Sequence, residues 1–225
     1  ATTLLAEDPT LSASGQLVHH SILGVVANGA VTAGRISNRL RRPVSNLTPA
    51  ISRLLDAGFL VRHEDPVRSR RPTYSLADPF LQFHYAVLEP YRSLLRSRET
   101  REIWRDRLST VFDARVRGPV FEEVARDWVR EHANSDTLGG GPEFVGPSQV
   151  SVDGVERQLD VVVAIADSGD QPAERRVIAL GEAKAGERMG MARLRQMEGA
   201  RGALGAKAAG AKLLLFATEF DAALR

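Results

Sequence analysis

The chain has 225 residues, 43% hydrophobic and 26% charged, the balance of a folded globular protein, with no apolar run approaching the roughly 18–20 residues of a membrane span. It contains no cysteine, which excludes disulfides, thiolate zinc sites and cysteine nucleophiles. The net charge of +2 is divided unevenly: positions 1–98 hold 12 arginines against 7 acidic residues, and positions 99–225 hold 18 basic against 21 acidic. The first half is therefore the better candidate to meet a polyanion. With no signal peptide and no membrane span, a cytoplasmic location is expected.

Residues 1–16 read as a linker, and the start at Ala1 rather than Met reads as the C-terminal piece of something longer. Leu17, Ile22, Leu23, Val25 and Val26 recur at helical spacing, and Asn28-Gly29-Ala30 closes that helix. Thr32 caps a second helix through Leu40. The short turn Arg41-Arg42-Pro43 leads to a third helix carrying Leu47, Ile51, Leu54 and Leu55, ending at Asp56-Ala57-Gly58. Thr48 before Pro49 is an alternative N-cap, which leaves the start of the third helix open. Phe59–His63 and Pro72–Leu76 then read as two strands around the charged loop 64–71. The expected unit is a winged helix-turn-helix over 17–77. Arg42, Ser45, Asn46, Thr48, Ser52 and Arg53 would face the major groove or the phosphates, with Arg68, Arg70 and Arg71 at the wing tip. The partner implied is DNA; the alternative is a winged helix used for protein docking, its arginines a solvated face.

A helical neck is expected over 78–110, opened by Pro79, with Phe80, Leu81 and Phe83 as apolar surface to bury between two domains. From 111 the pattern changes. Gly118-Pro119 opens a helix to about Glu131, placing Glu122 and Glu123 about 100° apart, Glu123 toward solvent. Residues 134–141 read as a loop, and Ser148–Val152, the turn Asp153-Gly154 and the run around Asp160 as a hairpin. A hydrophilic loop over 167–176 precedes the run Val177–Lys184. Met189–Leu204 reads as a helix whose Arg195 and Gln196 reach toward the site, and Lys212–Thr218 as a last strand. The fold class is α/β: a mixed sheet flanked by helices, behind a helical N-terminal part.

Asp160 sits inside Leu-Asp-Val-Val-Val, and Glu182 and Lys184 end Val-Ile-Ala-Leu-Gly-Glu-Ala-Lys. An ionised carboxylate in a buried strand costs several kcal/mol without a partner, on the order expected for an ion taken from water, so these acids point to a site. Residues two apart in a strand share a face, which puts Glu182 and Lys184 roughly 6.5–7 Å apart along the chain. If the two runs pair, Asp160 joins them. Two carboxylates suit Mg²⁺ or Mn²⁺, and a lysine beside them suits the charge that develops on a phosphate during hydrolysis. The histidines show no H-x-x-x-H spacing, and neither a G-x-S-x-G elbow nor a G-x-x-x-x-G-K-[ST] loop occurs.

Asp160, a 22-position interval and Glu182-Ala183-Lys184 resemble the core of PD-(D/E)xK nucleases, although Leu159 stands where the family has its eponymous proline. The run Tyr74-Ser-Leu-Ala-Asp-Pro-Phe-Leu-Gln-Phe-His-Tyr85 with Val87-Leu-Glu-Pro90, behind a winged helix, is similar to the C-terminal region of archaeal-type AAA ATPases. That resemblance implies a P-loop ATPase domain preceding this chain in the full-length protein and a nuclease-like domain over 111–225. It also implies a Mg²⁺-dependent phosphodiesterase site, with metal on Asp160 and Glu182, Lys184 at the transition state and Glu122 assisting. The alternative is a non-catalytic DNA-binding or regulatory module with a degenerate nuclease-like sheet.

Overall fold

The computed structural model describes residues 16–68, 71–96, 99–166 and 175–224. The chain is mixed α/β and divides into two compact units, one of residues 1–63 and 72–117, the other of 64–71 and 118–225.

In the first unit, helices α1 (Gln16–Ala27), α2 (Ala33–Leu40) and α3 (Val44–Asp56) precede the antiparallel pair β1 (Leu60–His63) and β2 (Thr73–Leu76). The Thr32 side chain accepts a hydrogen bond from Arg35 N and fixes the start of α2, which ends at Arg41 in the left-handed region, φ 52°. Helix α3 begins at Val44, not at Thr48. Pro43 precedes it, Pro49 lies inside it, and the Thr48 hydroxyl donates back to Val44 O instead of capping. Its apolar residues Leu47, Ile51 and Leu54 fall at three- and four-residue intervals and pack with Ile22, Leu23, Ile36 and Leu60. Leu17, grouped by spacing with Ile22, Leu23, Val25 and Val26 of α1, is 84% exposed.

Helix α4 (Pro79–Phe83) is capped by the Asp78 carboxylate, which accepts from Phe80 N. It runs into a wide π-type turn, closed by Glu89 N donating to His84 O. Short helices α5 (Arg92–Leu95), α6 (Thr100–Ile103) and α7 (Ser109–Phe112) follow, with further π-type turns at Trp104–Leu108 and Asp113–Arg117. The aromatic surface expected between two domains serves this unit's own core. Leu81 is buried there, Phe83 meets Trp104 and Phe112 edge-on at 6.3 and 5.8 Å, and Phe80 stays half exposed.

The second unit runs α8 (Gly118–Glu131), α9 (Ser135–Leu138), β3 (Phe144–Val152), β4 (Val155–Ala166), β5 (Arg175–Met189), α10 (Met191–Leu204) and β6 (Lys212–Phe220). The segment expected as an open loop thus contains α9, capped by Asn134. Sheet order is β3-β4-β5-β6, antiparallel through β5 and parallel between β5 and β6. The hairpin turn has Asp153 and Gly154 both at positive φ, the geometry that matches strand twist. Met197 and Ala200 of α10 pack on Leu159, Val162 and Leu180; Ala125 and Val129 of α8 pack on Val161, Val163 and Ala183.

Leu159 and Val161 thus join different clusters although strict alternation would give them one face. The register explains it: Gly146 pairs with Val162 and Ser148 with Leu159, so Asp160 and Val161 together oppose the single Pro147. Proline has no N–H for the ladder, and the strand bulges where it stands. The 64–71 loop also belongs to this unit. Asp65 is buried and accepts from Val67 N, Arg68 N and the Ser148 hydroxyl, so this part of the loop is not a free wing tip.

Gly181 sits where a methyl group would stand 2.9 Å from Val161 Cβ and 3.3 Å from a Phe216 ring carbon. Gly181→Ala is therefore expected to destabilise the protein by about 1–3 kcal/mol through overpacking, read as a lower urea midpoint at unchanged slope.

Candidate functional site

The two acid-bearing runs pair as β4 and β5, with Val161 opposite Gly181, which brings Asp160 beside Glu182. Asp160 and Glu182 are 3% and 8% exposed. Between them stands the Lys184 ammonium, 3.1 Å from Asp160 Oδ2 and 3.1 Å from Glu182 Oε1, also donating to Ala183 O at 3.1 Å. Ala183 N donates to Asp160 Oδ2 at 3.0 Å, and Gln158 Nε2 approaches Asp160 Oδ1 at 3.4 Å. Burial disfavours the ammonium, but the two carboxylates outweigh it and hold Lys184 above its usual pKa. Burial and then Asp160 push Glu182 up, against the pull of Lys184 and Arg193.

Glu122 on α8 shares this field. Burial, followed by the Asp160 charge, pushes its pKa up to about 7, partly offset by Lys184 and Arg126. Glu123, expected in solvent, is instead ion-paired with Arg126 at 2.6 Å and Arg130 at 3.1 Å.

Two arginines that sequence reasoning passed over complete the network. Arg126, 5% exposed, donates from Nη1 to Asp160 O at 2.8 Å and so grips the backbone at the bulge. Arg193 Nη1 lies 3.2 Å from Glu182 Oε1; the expected Arg195 and Gln196 are exposed on α10. The signal for Arg126 was an i, i+4 interval from Glu122, which shares its face of α8. Arg193 carried none, because which side of α10 meets Glu182 is set by how the helix packs on the sheet.

A hard cation fits this donor set. Two carboxylate oxygens and the Ala183 carbonyl surround one positive charge, the number of protein oxygens with which Mg²⁺ or Mn²⁺ retains several waters. Among the described residues, no group of three or more His, Asp or Glu side chains is arranged to hold a metal.

On the first unit, Ser45, Asn46, Thr48, Ser52 and Arg53 are exposed on α3 opposite its buried stripe. Arg42 is exposed beside them, together with Arg35, Arg39 and Arg41, which the sequence reading omitted. None of these five cations, Arg35, Arg39, Arg41, Arg42 and Arg53, makes an ion pair among the described residues. Arg68 is half-buried with Nη1 4.0 Å from Glu156, Arg71 is exposed, and Arg70 lies outside the described residues, as do residues 167–174 of the expected hydrophilic loop. No described helix is long and apolar enough to cross a membrane.

No established family profile matches the chain. Over 130 residues it is 28% identical to the uncharacterized protein MJECL04 of Methanocaldococcus jannaschii, a match covering 56% of this chain and 27% of that protein. The chain thus spans about a quarter of the length of that relative. Among solved structures it is similar to ZitR of Lactococcus lactis, a zinc-responsive MarR family member, at 21% identity over 43% of this chain and 73% of that one, TM-score 0.27. It is similar to AbfR bound to DNA at 24% over 42% and 69%, TM-score 0.29. The adhesin competence repressor AdcR of Streptococcus pyogenes matches at 25% over 49% and 85%, TM-score 0.28. At these scores the likeness decides nothing about function.

The raised Glu122 pKa carries a sign. A carboxyl that binds its proton more tightly when folded lends stability below about pH 4.5, and that contribution disappears as the pH rises through about 7. Glu122→Gln removes the titration, so its stability relative to wild type should rise between pH 5 and pH 8 by on the order of 1–3 kcal/mol. Urea midpoints measured across that range check it; parallel curves would contradict the shared field.

Proposed function

We propose that this chain is a DNA-binding region of winged-helix type whose second unit carries a PD-(D/E)xK-like site for metal-dependent phosphodiester hydrolysis. The observation that carries the DNA-binding part is the group of five exposed arginines, unpaired among the described residues, around the α2–α3 turn and the polar face of α3. Cations without acidic partners on a helix that offers Ser, Asn and Thr side chains suit phosphates at the flanks and base edges at the centre. A polyanion displaces counterions from such a surface. Binding to duplex should therefore weaken steeply with salt, and Arg39→Ala and Arg42→Ala should each flatten the log–log slope by about one. A salt titration by fluorescence anisotropy measures this, and a flat wild-type slope would refute it.

The hydrolytic part is the finer proposal. It is supported by the order helix, three antiparallel strands, helix and parallel strand, and by the convergence of Asp160, Glu182 and Lys184. Asp160, Glu182 and the Ala183 carbonyl would hold Mg²⁺ or Mn²⁺, which when bound activates water and neutralises charge on the phosphate. Lys184 would keep its proton and offer a point charge to the phosphate oxygens. Glu122, with a pKa of about 7, is suited to accept a proton near neutral pH. In this reading a P-loop ATPase domain precedes the chain in the longer protein, as in the archaeal-type AAA ATPases it resembles.

A second reading keeps DNA binding and drops cleavage. It is favoured by the ion pairing itself, since Lys184 and Arg193 already satisfy the carboxylates that a metal needs. Plasmid and branched DNA incubated with Mg²⁺ or Mn²⁺ separates the two. Hydrolysis is expected to fall at least about 100-fold in Glu182→Ala and Lys184→Ala. Salt-sensitive binding with no cutting by wild type would establish the second reading.

A further inference from the structure

The first unit contains a half-open cavity of about 360 Å³ that the proposed activity does not use. It is lined by the apolar Ala86, Pro90, Val111 and Ala114 and by the polar Asn28, Tyr91, Thr110 and Arg115. At about 30 Å³ for each water-sized volume it is the size of a small organic molecule, and an apolar wall with a few convergent polar groups is the usual make-up of a ligand site.

Two of the polar residues are held in place. Asn28 sits at the end of α1, and its amide nitrogen is engaged by Gly24 O at 2.8 Å and Tyr85 O at 3.4 Å, which leaves Oδ1 as the atom it presents. Arg115 is held by its backbone and by close approach: its carbonyl accepts from Gln82 Nε2, and its Nη1 lies 2.6 Å from where a Cβ on Gly29 would be. Gly29, at φ +91°, gives the guanidinium the space that any side chain would take. No carboxylate among the described residues pairs with Arg115.

We propose that this cavity binds a small carboxylate with an apolar body, its carboxylate on Arg115 and its body against Ala86, Val111 and Ala114. One guanidinium matches one carboxylate through two parallel N–H donors. A phosphate dianion would call for a second cation, and among the described residues Arg115 is the one charged side chain lining the cavity. The hydroxyls of Thr110 and Tyr91 provide additional donors for the carboxylate or a substituent of the body.

The probe is 2-naphthoate, titrated by calorimetry against wild type, Arg115→Gln and Ala114→Phe, with 2-naphthamide as the neutral counterpart. Both substitutions lie at exposed positions and leave the core intact. Saturable binding of 2-naphthoate in the submillimolar range is expected. Arg115→Gln should weaken it at least tenfold and Ala114→Phe should reduce it similarly by filling the space, while the amide binds at least tenfold more weakly to wild type. Failure of wild type to saturate below 10 mM overturns the proposal, and so does naphthoate binding that survives Arg115→Gln. Binding of the amide as tightly as the acid also overturns it, by removing the role of the charge. None of these outcomes depends on whether the second unit cuts DNA.

Discussion

One ammonium group ties the second unit's chemistry together. Lys184 Nζ has three oxygens around it at 3.1 Å, from Asp160, Glu182 and the Ala183 carbonyl. Two carboxylates this deeply buried would repel each other and lose their hydration without such a charge, and the cost is several kcal/mol for each ion. The paired strands and Glu122 of α8 share the field of that charge, and Arg193 joins it through Glu182. The electrostatic pattern follows: Glu122 and Glu182 are pushed up by burial and by Asp160, while Lys184 is held protonated by the same carboxylates.

The backbone around Asp160 is as consequential as its side chain. In a regular strand Asp160 would take the face opposite Leu159 and Val161, and those two would share a cluster. The missing N–H of Pro147 breaks the ladder, two residues of β4 meet one of β3, and Leu159 and Val161 fall into different cores. Arg126, nearly sealed from water, satisfies the Asp160 carbonyl left at this irregularity while neutralising Glu123. The bulge thus joins three features of the chain, a proline in β3, a buried arginine in α8 and an acid in β4, whose types would otherwise be hard to reconcile with a sheet interior.

Charge is used differently in the first unit. Five of its arginines, Arg35, Arg39, Arg41, Arg42 and Arg53, lie exposed on α2, α3 and the turn between them, away from the Leu47, Ile51 and Leu54 stripe, and make no ion pair among the described residues. Arg68 in the 64–71 loop, by contrast, is half-buried near Glu156, in a segment anchored by buried Asp65 on Ser148. A cation held by an internal acid has less to offer an external anion than one left in water without a partner.

Local rules determined a great deal. Three-to-four-residue apolar spacing, Thr32, Asp78 and the Asp153-Gly154 turn specify helices, caps and a hairpin through interactions confined to a few residues, and the acids at 160 and 182 stand out because they interrupt apolar runs. What escaped the sequence depended on contacts between distant segments. The bulge opposite Pro147, the burial of Arg126, Arg193 rather than Arg195 on Glu182, the return of Phe83 into its own unit's core and the anchoring of Asp65 on Ser148 are set by register and packing. One residue of slippage moves a side chain to the other face of a strand or 100° around a helix. Residue types and their spacing therefore selected which groups have chemistry to do, while the tertiary structure decided which of those groups meet.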